Sequence, residues 1–475
     1  MPGGHAERLF VPETADDVAD VLREAREAGA SVTISGARTG TVGGAVPFGG
    51  YVISLERLNK IKSIDRDAKS ATVEPGVVLA DLQKAVEAEG FYYPPDPTEW
   101  SCQIGGTVAT NASGARSFKY GATREFVSAL TVVLADGDVL KLGRGEVFSN
   151  ADGRVELTTE SGRTISAKVP TYKRPNVRKN VSGYFNEMPL DAIDLFIGSE
   201  GTLGVITEIE LRLVPKPEGF FSGVVFFEKH GDLLGFVDEV KAVSKENALT
   251  DVRASASLVE YFDDRALSFI REKFPETPEA MAGAVYFEQE TTAETEDALF
   301  EAWNEMLERH GADIDRSWFT TTDADREKLR AFRHALPVAV NERVVRNKQK
   351  KIGTDMAVPD ENFAGFLKFQ KEMLDSSGID YVIFGHIGDC HLHANLLPKT
   401  DEEATRSRHI YGRFVAQSIM LSGCVSAEHG IGKLKSKYLY VAMGERYLNE
   451  MAELKKAFDP KGILGRGNMF DAKFV

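Results

Sequence analysis

The chain is poor in cysteine: three among 475 residues, Cys102, Cys390 and Cys424. An odd, scattered trio argues against a disulfide framework and fits a reducing compartment. No closely spaced cysteine run exists, so the chain carries no iron–sulfur cluster of its own. Long apolar runs are missing too, which excludes a membrane-spanning helix. The opening residues, MPGGHAERLF, lack the apolar core of a signal peptide. A cytoplasmic location is the expectation. Positive charge is scarce: 57 Lys and Arg stand against 72 Asp and Glu, a net −15. That balance argues against nucleic acid or an anionic membrane as the main partner. An anionic substrate then requires a local cationic pocket.

What is present suits an ordinary soluble globular protein, with 43% hydrophobic and 27% charged residues. The length exceeds one hydrophobic core, so two or three domains are expected. Thr14 and Asp17 resemble a capping box with Asp in place of Glu. Val18, Val21, Leu22 and Ala25 follow as one helical stripe that Gly29 ends. A strand at 31–35, a glycine-rich loop at 36–44 and a strand at 51–55 complete an α/β nucleotide-binding opening. Further strands are expected at 71–74, 128–134 and 205–213, and a helix at 79–89. Pro215 and Pro217 mark the first boundary. Beyond it, alternating apolar strands at 223–227, 284–288, 381–384 and 392–396 are separated by charged helices at 230–246, 293–310 and 361–376. That texture predicts an α+β domain with an antiparallel sheet. The expected division is 1–217, 218–425 and 426–475.

Three segments lack bulk. The first is Ser35 to Pro47, whose glycines let backbone N–H groups converge into a nest for a pyrophosphate, or simply form a mobile hairpin. Its spacing is not the Rossmann fingerprint. The second joins Pro94-Pro-Asp-Pro-Thr98 to Ile104-Gly-Gly-Thr-Val-Ala-Thr-Asn-Ala-Ser-Gly114. The third is Gly198-Ser-Glu-Gly-Thr-Leu-Gly-Val-Ile206. Small residues let a large planar ligand press on the backbone.

Three of nine histidines fall in Gly385-His386-Ile387-Gly388-Asp389-Cys390-His391-Leu392-His393, and Glu428-His429 follows downstream. Metal ligation and proton transfer are the two uses that justify such clustering. His391 and His393 alternate by two, so on a strand they share a face. Hydrogen-bonded core residues are the plainer alternative for one or two of them.

These motifs, with Ala427-Glu-His-Gly-Ile-Gly432 and Asp459-Pro-Lys-Gly-Ile463, resemble the FAD-linked 2-hydroxyacid dehydrogenase branch of the vanillyl-alcohol-oxidase superfamily. Its members include D-lactate dehydrogenase, the glycolate oxidase flavin subunit and D-2-hydroxyglutarate dehydrogenase. The resemblance runs from about residue 8 to 470. It implies a two-lobed FAD-binding domain, an antiparallel-sheet cap and a C-terminal segment returning to the flavin. Ser35, Gly36, Ala37, Arg38, Thr39, Gly40 and Thr41 would then hold the pyrophosphate. Asp96, Thr98, Gly105, Gly106, Ala109, Asn111 and Gly114 would line the flavin. Glu200, Gly204 and Ile206 would meet its adenine–ribose or ring end. Residues 31–120 contain no histidine and Cys102 sits in no attachment motif, so the FAD is expected to be non-covalent.

The resemblance also selects His386, His393 and Glu428 as ligands of a divalent metal, zinc foremost, and His429 as the base. Arg333 resembles the substrate-carboxylate arginine, with Lys351 a second candidate; Lys179 and Tyr184 match a motif near the flavin. The implied reaction oxidises a D-2-hydroxy acid, D-lactate first, to the 2-oxo acid, with hydride transfer to flavin N5. D-2-hydroxyglutarate and glycolate are alternative substrates. Electrons would leave to an external acceptor: an electron-transfer flavoprotein, a quinone, a cytochrome or an iron–sulfur subunit. A homodimer is among the expected assemblies. Three rival readings are a flavin transferase like alkylglycerone-phosphate synthase, a metal-dependent hydrolase, and a flavin subunit whose activity lies in a partner. The chain departs from the family at Cys390-His391, where Gly-Asn is common, and at Gly465-Arg-Gly-Asn468, where Asn-Pro-Gly-Lys is usual.

Overall fold

The computed structural model describes residues 3–246, 253–320 and 322–474. Its first helix, Ala15–Ala28, starts as the sequence predicts. Thr14 Oγ1 accepts from the Asp17 N–H, and the Asp17 carboxylate accepts from the Thr14 N–H at 2.9 Å. Gly29 ends the helix at φ +68°, a left-handed conformation that costs glycine nothing. Val18, Leu22 and Ala25 bury that stripe against a three-stranded parallel sheet. Tyr51–Ser54 lies at its centre, between Arg8–Phe10 and Val32–Ser35. The glycine-rich loop leaves the C-terminal end of Val32–Ser35, where open α/β sheets place their ligands.

A second sheet is antiparallel, in the order Ile61–Asp65, Ser70–Val73, Val205–Arg212, Val127–Val133 and Val139–Gly143. Helix Ile104–Thr110 lies beside it and has no apolar periodicity; its small residues follow a close approach instead. A Cβ on Gly105 would lie 2.4 Å from Pro75 Cβ, and one on Gly114 would lie 2.2 Å from the Asp96 carbonyl oxygen. Gly114→Ala is therefore expected to lower the melting temperature and the FAD occupancy together, read by thermal unfolding and by flavin absorbance.

The third sheet is antiparallel and has eight strands. Seven run Asp313–Phe319, Gly219–Phe227, Gly283–Thr291, Leu258–Asp263, Tyr381–His386, His391–Leu396 and Ile352–Gly353; the eighth, Met356–Ala357, also pairs with His391–Leu396. The expected antiparallel sheet is present, but its central strands are buried on both faces. Val225, Phe227 and Phe287 pack on Phe236 and Trp303, from helices His230–Glu246 and Glu296–Arg309. Val224, Phe226 and Tyr286 pack on Phe332 and Leu336, from helix Asp323–Asn347. Two helical layers thus replace the solvated face that antiparallel sheets commonly keep.

Helix Ser436–Phe458 follows, and the chain then returns to the first lobe. Val32 donates to the Ile463 carbonyl at 2.7 Å, and Gly465 donates to the Val32 carbonyl at 2.9 Å. Among the described residues, no helix is long and apolar enough to cross a membrane.

Candidate functional site

A cleft of about 390 Å³ runs between the parallel sheet, helix Ile104–Thr110 and the C-terminal segment. Gly36, Ala37, Arg38, Thr39, Gly40 and Thr41 line it, with Thr98, Gly105, Gly106, Ala109, Glu200, Gly204 and Ile206, and with His393, Glu428 and His429. The three bulk-poor segments therefore meet around one space.

Four of the predicted lining residues do structural work. Ser35 Oγ sits 3.4 Å from the Gly36 carbonyl. Asp96 takes the Arg116 guanidinium at 3.0 Å and the Arg116 N–H at 3.1 Å. Asn111 caps helix Ile104–Thr110 at φ +48° and accepts from the Arg124 N–H. The Gly114 carbonyl accepts from Lys179 Nζ. Glu200 lines the cleft but also ties its walls, because its carboxylate accepts from the Ile431 and Gly432 N–H groups at 2.6 Å each. Asn468, from the stretch where the chain departs from the family pattern, adds a wall residue. It donates to the Gly44 and Glu200 carbonyls and accepts from Lys433.

The histidines meet through strand register. His386 ends Tyr381–His386 and pairs directly with His391, the first residue of His391–Leu396. His391 and His393 share a face, with ring centroids 4.6 Å apart. Glu428 comes from the segment beyond the sheet. His386 Nε2 stands 3.4 Å from Glu428 Oε1, and His393 Nε2 stands 3.7 Å from Oε2. The outer nitrogens face acceptors. His386 Nδ1 faces Glu260 Oε1 at 3.0 Å, and His393 Nδ1 donates to the Thr354 carbonyl at 2.9 Å. That pattern fixes each ring with its other nitrogen turned inward, as metal-ligating histidines are held. Ligand atoms of His386, His391, His393 and Glu428 all lie within 4.8 Å of one another.

Electrostatics keep Glu428 ionised. Burial opposes its charge, but His386, Lys179 and His391 hold its carboxyl well below the usual carboxylate range. Lys179 Nζ lies 2.6 Å from Glu428 Oε1 and 3.0 Å from Asp389. Ser113 Oγ also donates to Oε1, at 3.0 Å. Two imidazoles and a carboxylate with ordered outer partners fit a divalent ion of the zinc type.

His429 stacks on His393 at 5.2 Å and 17°. Burial, reinforced by His393 and Lys435, lowers its pKa to about 4, so the ring is neutral at neutral pH. Its Nδ1 lies 3.5 Å from Asp355 Oδ2. Asp355 is fully buried and collects donors. Oδ1 accepts from the Glu428 N–H at 3.1 Å, and Oδ2 accepts from the His429 N–H at 3.1 Å and Ser426 Oγ at 2.7 Å. Lys435 Nζ also donates to Oδ2. Nothing in the sequence pattern singled out Asp355, Glu260 or Thr354, and Ser113 stood only as one small residue of the second bulk-poor segment.

Arg333 does not extend a free guanidinium. It pairs with Glu260 through Nε and Nη2, the latter at 2.8 Å, and Glu260 is the carboxylate that holds His386. That pairing neutralises the carboxylate through two of the three guanidinium nitrogens. Removing one partner of a buried pair costs about 3–5 kcal/mol. Arg333→Met is expected to lose stability on that scale in denaturant unfolding. An unchanged midpoint with a raised KM would instead restore it as a substrate contact. Lys351 sits at the sheet's edge, just before Ile352–Gly353, and is exposed. Tyr184 lies in the core, its hydroxyl 2.7 Å from Thr202 Oγ1.

Residues 6–143 match the family described as FAD binding domain, and residues 233–469 match the C-terminal domain of FAD linked oxidases. A D-lactate dehydrogenase of Anaerostipes hadrus is 31% identical over 98% of this chain and 89% of its own length. A D-2-hydroxyglutarate dehydrogenase of Xanthomonas citri pv. viticola is 30% identical, with the same two coverages. Among solved structures, 4-ethylphenol oxidase from Gulosibacter chungangensis superposes with a TM-score of 0.71. It is 19% identical, over 98% of this chain and 90% of that one, which speaks to the fold alone.

Proposed function

Because the chain belongs to the vanillyl-alcohol-oxidase-type FAD-linked oxidases, we propose that it oxidises a small D-2-hydroxy acid, D-lactate first, to the 2-oxo acid. One observation carries this reading: His393, Glu428 and His429 line the same cleft as the glycine loop. Acid–base chemistry and cofactor binding therefore share one space. The domain division is 1–217 for the cofactor, 218–425 for the cap and 426–475 for the segment that returns.

FAD in the cleft supplies the acceptor for two electrons and the C2 hydrogen. A divalent ion held by His386, His393 and Glu428 would supply Lewis-acid polarisation of the substrate hydroxyl. The chain's own residues do the rest. His429, neutral and facing the cleft, takes the hydroxyl proton. Asp355 orients that ring from behind and stabilises the imidazolium that forms. Lys179 and Ser113 keep Glu428 anionic and fixed. Gly36 to Thr41 place backbone N–H groups and the Arg38 charge at the pyrophosphate end. Electrons then pass to an external acceptor.

The test is anaerobic addition of D- and L-lactate, glycolate, D-malate and D-2-hydroxyglutarate to the purified protein. D-lactate is expected to bleach the flavin absorbance fastest. A colourless protein would remove the flavin assignment for this chain, and a yellow protein that none of the acids bleaches would remove the reaction.

A further inference from the structure

His391 is outside the donor set above. It is wholly buried, and neither ring nitrogen completes a regular hydrogen bond among the described residues. Nε2 lies 3.0 Å from Asp355 Oδ1, and Nδ1 lies 3.8 Å from Glu428 Oε2. Ionised carboxylates only accept, so one nitrogen of the neutral ring carries the proton and the other keeps a lone pair. The shorter approach to Asp355 puts the proton on Nε2. The Nδ1 lone pair then faces a carboxylate oxygen, and two electron-rich atoms have no reason to be held there in a dry interior. His386 Nε2 and His393 Nε2 also face Glu428, at 3.4 and 3.7 Å. Donors at about 2.0–2.1 Å from a tetrahedral zinc lie about 3.3–3.4 Å apart. His391 Nδ1 and His393 Nε2 stand 3.8 and 3.7 Å from the same Glu428 oxygen, and ligand atoms of all four residues lie within 4.8 Å of one another, wider than a closed shell but around one centre.

We propose that His391 is a fourth protein donor to this centre, through Nδ1, so that three imidazoles and one carboxylate hold the ion before any substrate arrives. The proposal rests on the metal reading above and goes beyond it. Asp355 becomes the positioning residue that fixes the His391 tautomer, as Glu260 does for His386 and the Thr354 carbonyl for His393. Three nitrogens and one oxygen favour Zn²⁺, Co²⁺ or Ni²⁺ over Mg²⁺ and Mn²⁺. The ion should behave as a resident that chelators remove slowly.

The experiment uses the FAD-loaded protein, stripped of metal with a chelator. Zn²⁺ and Co²⁺ are titrated against a competing chelator for the native chain, H391N and H386A. H391N is expected to weaken Zn²⁺ binding by more than about 100-fold, beyond the 10–100-fold that loss of an outer hydrogen-bond partner costs. Its Co²⁺ complex should lose the intense visible bands of a four-donor site, and imidazole added to H391G should restore them. Native bands in H391N overturn His391 as a donor; if H386A loses metal in the same series, the metal reading stands. Failure of the native chain to take up either ion overturns both. Flavin absorbance and melting temperature of the stripped variants control for folding, and H391Q replaces H391N if that variant does not retain FAD.

Discussion

His429→Ala is expected to yield a yellow protein that D-lactate no longer bleaches on the native timescale. A positioned general base contributes about 10²–10⁴-fold, and the rate should fall by that range. The ring is suited to the task in three ways. Its pKa, lowered to about 4, leaves it unprotonated at neutral pH. Asp355 Oδ2 faces Nδ1 at 3.5 Å, which keeps Nε2 as the free base. The stack on His393 sets the ring against the donor cluster. FAD should stay bound, because the glycine loop and helix Ile104–Thr110 supply most of the cleft wall. Stopped-flow reduction with flavin stoichiometry separates the two quantities. A reduction rate within about threefold of native would take the proton-transfer role from His429.

Asp355→Asn is expected to cost stability as well as rate. Oδ1 receives one N–H and faces His391; Oδ2 receives an N–H, a hydroxyl and the Lys435 ammonium. An amide placed either way round turns its own NH₂ toward donors. Lys435 also loses its buried counter-charge. Breaking a buried pair from one side costs about 3–5 kcal/mol, and denaturant unfolding should show a loss on that scale. Flavin reduction should slow as well, since His429 loses the group that orients it. A native unfolding midpoint would show that Asp355 is not the hub its contacts imply.

Sequence legibility followed the range of the interactions. The Thr14–Asp17 cap and Gly29 stop are local, and they stand where the pattern put them. The glycine loop and Gly105, Gly106 and Gly204 were legible because missing bulk is itself a signal. Asp96, Asn111 and Gly114 lay in the same motif, yet their work is structural. Whether a small polar residue faces a ligand or a neighbouring turn depends on helix Ile104–Thr110, which has no periodicity to announce it. Arg333 looked like a free cation because Glu260, its partner, is 73 residues away. The ties of Asp355 to His391 and His429 were hidden for the same reason. They exist only once Thr354-Asp355 runs beside His391–Leu396 and the Glu428 segment crosses behind. The texture of the second half announced an antiparallel sheet, but not that helices cover it from both sides.

That sheet's borders bear on solubility. An eight-stranded sheet offers two rows of unpaired backbone groups, each a template for another chain. One border here is Asp313–Phe319, where Asp315 and Arg316 point charge outward and Arg316 is paired with Glu228 at 2.9 Å. The other ends in the two-residue strands Ile352–Gly353 and Met356–Ala357, too short to recruit a partner strand. Among the described residues, growth of the sheet by edge-to-edge stacking is blocked at both ends, by charge at one and by brevity at the other.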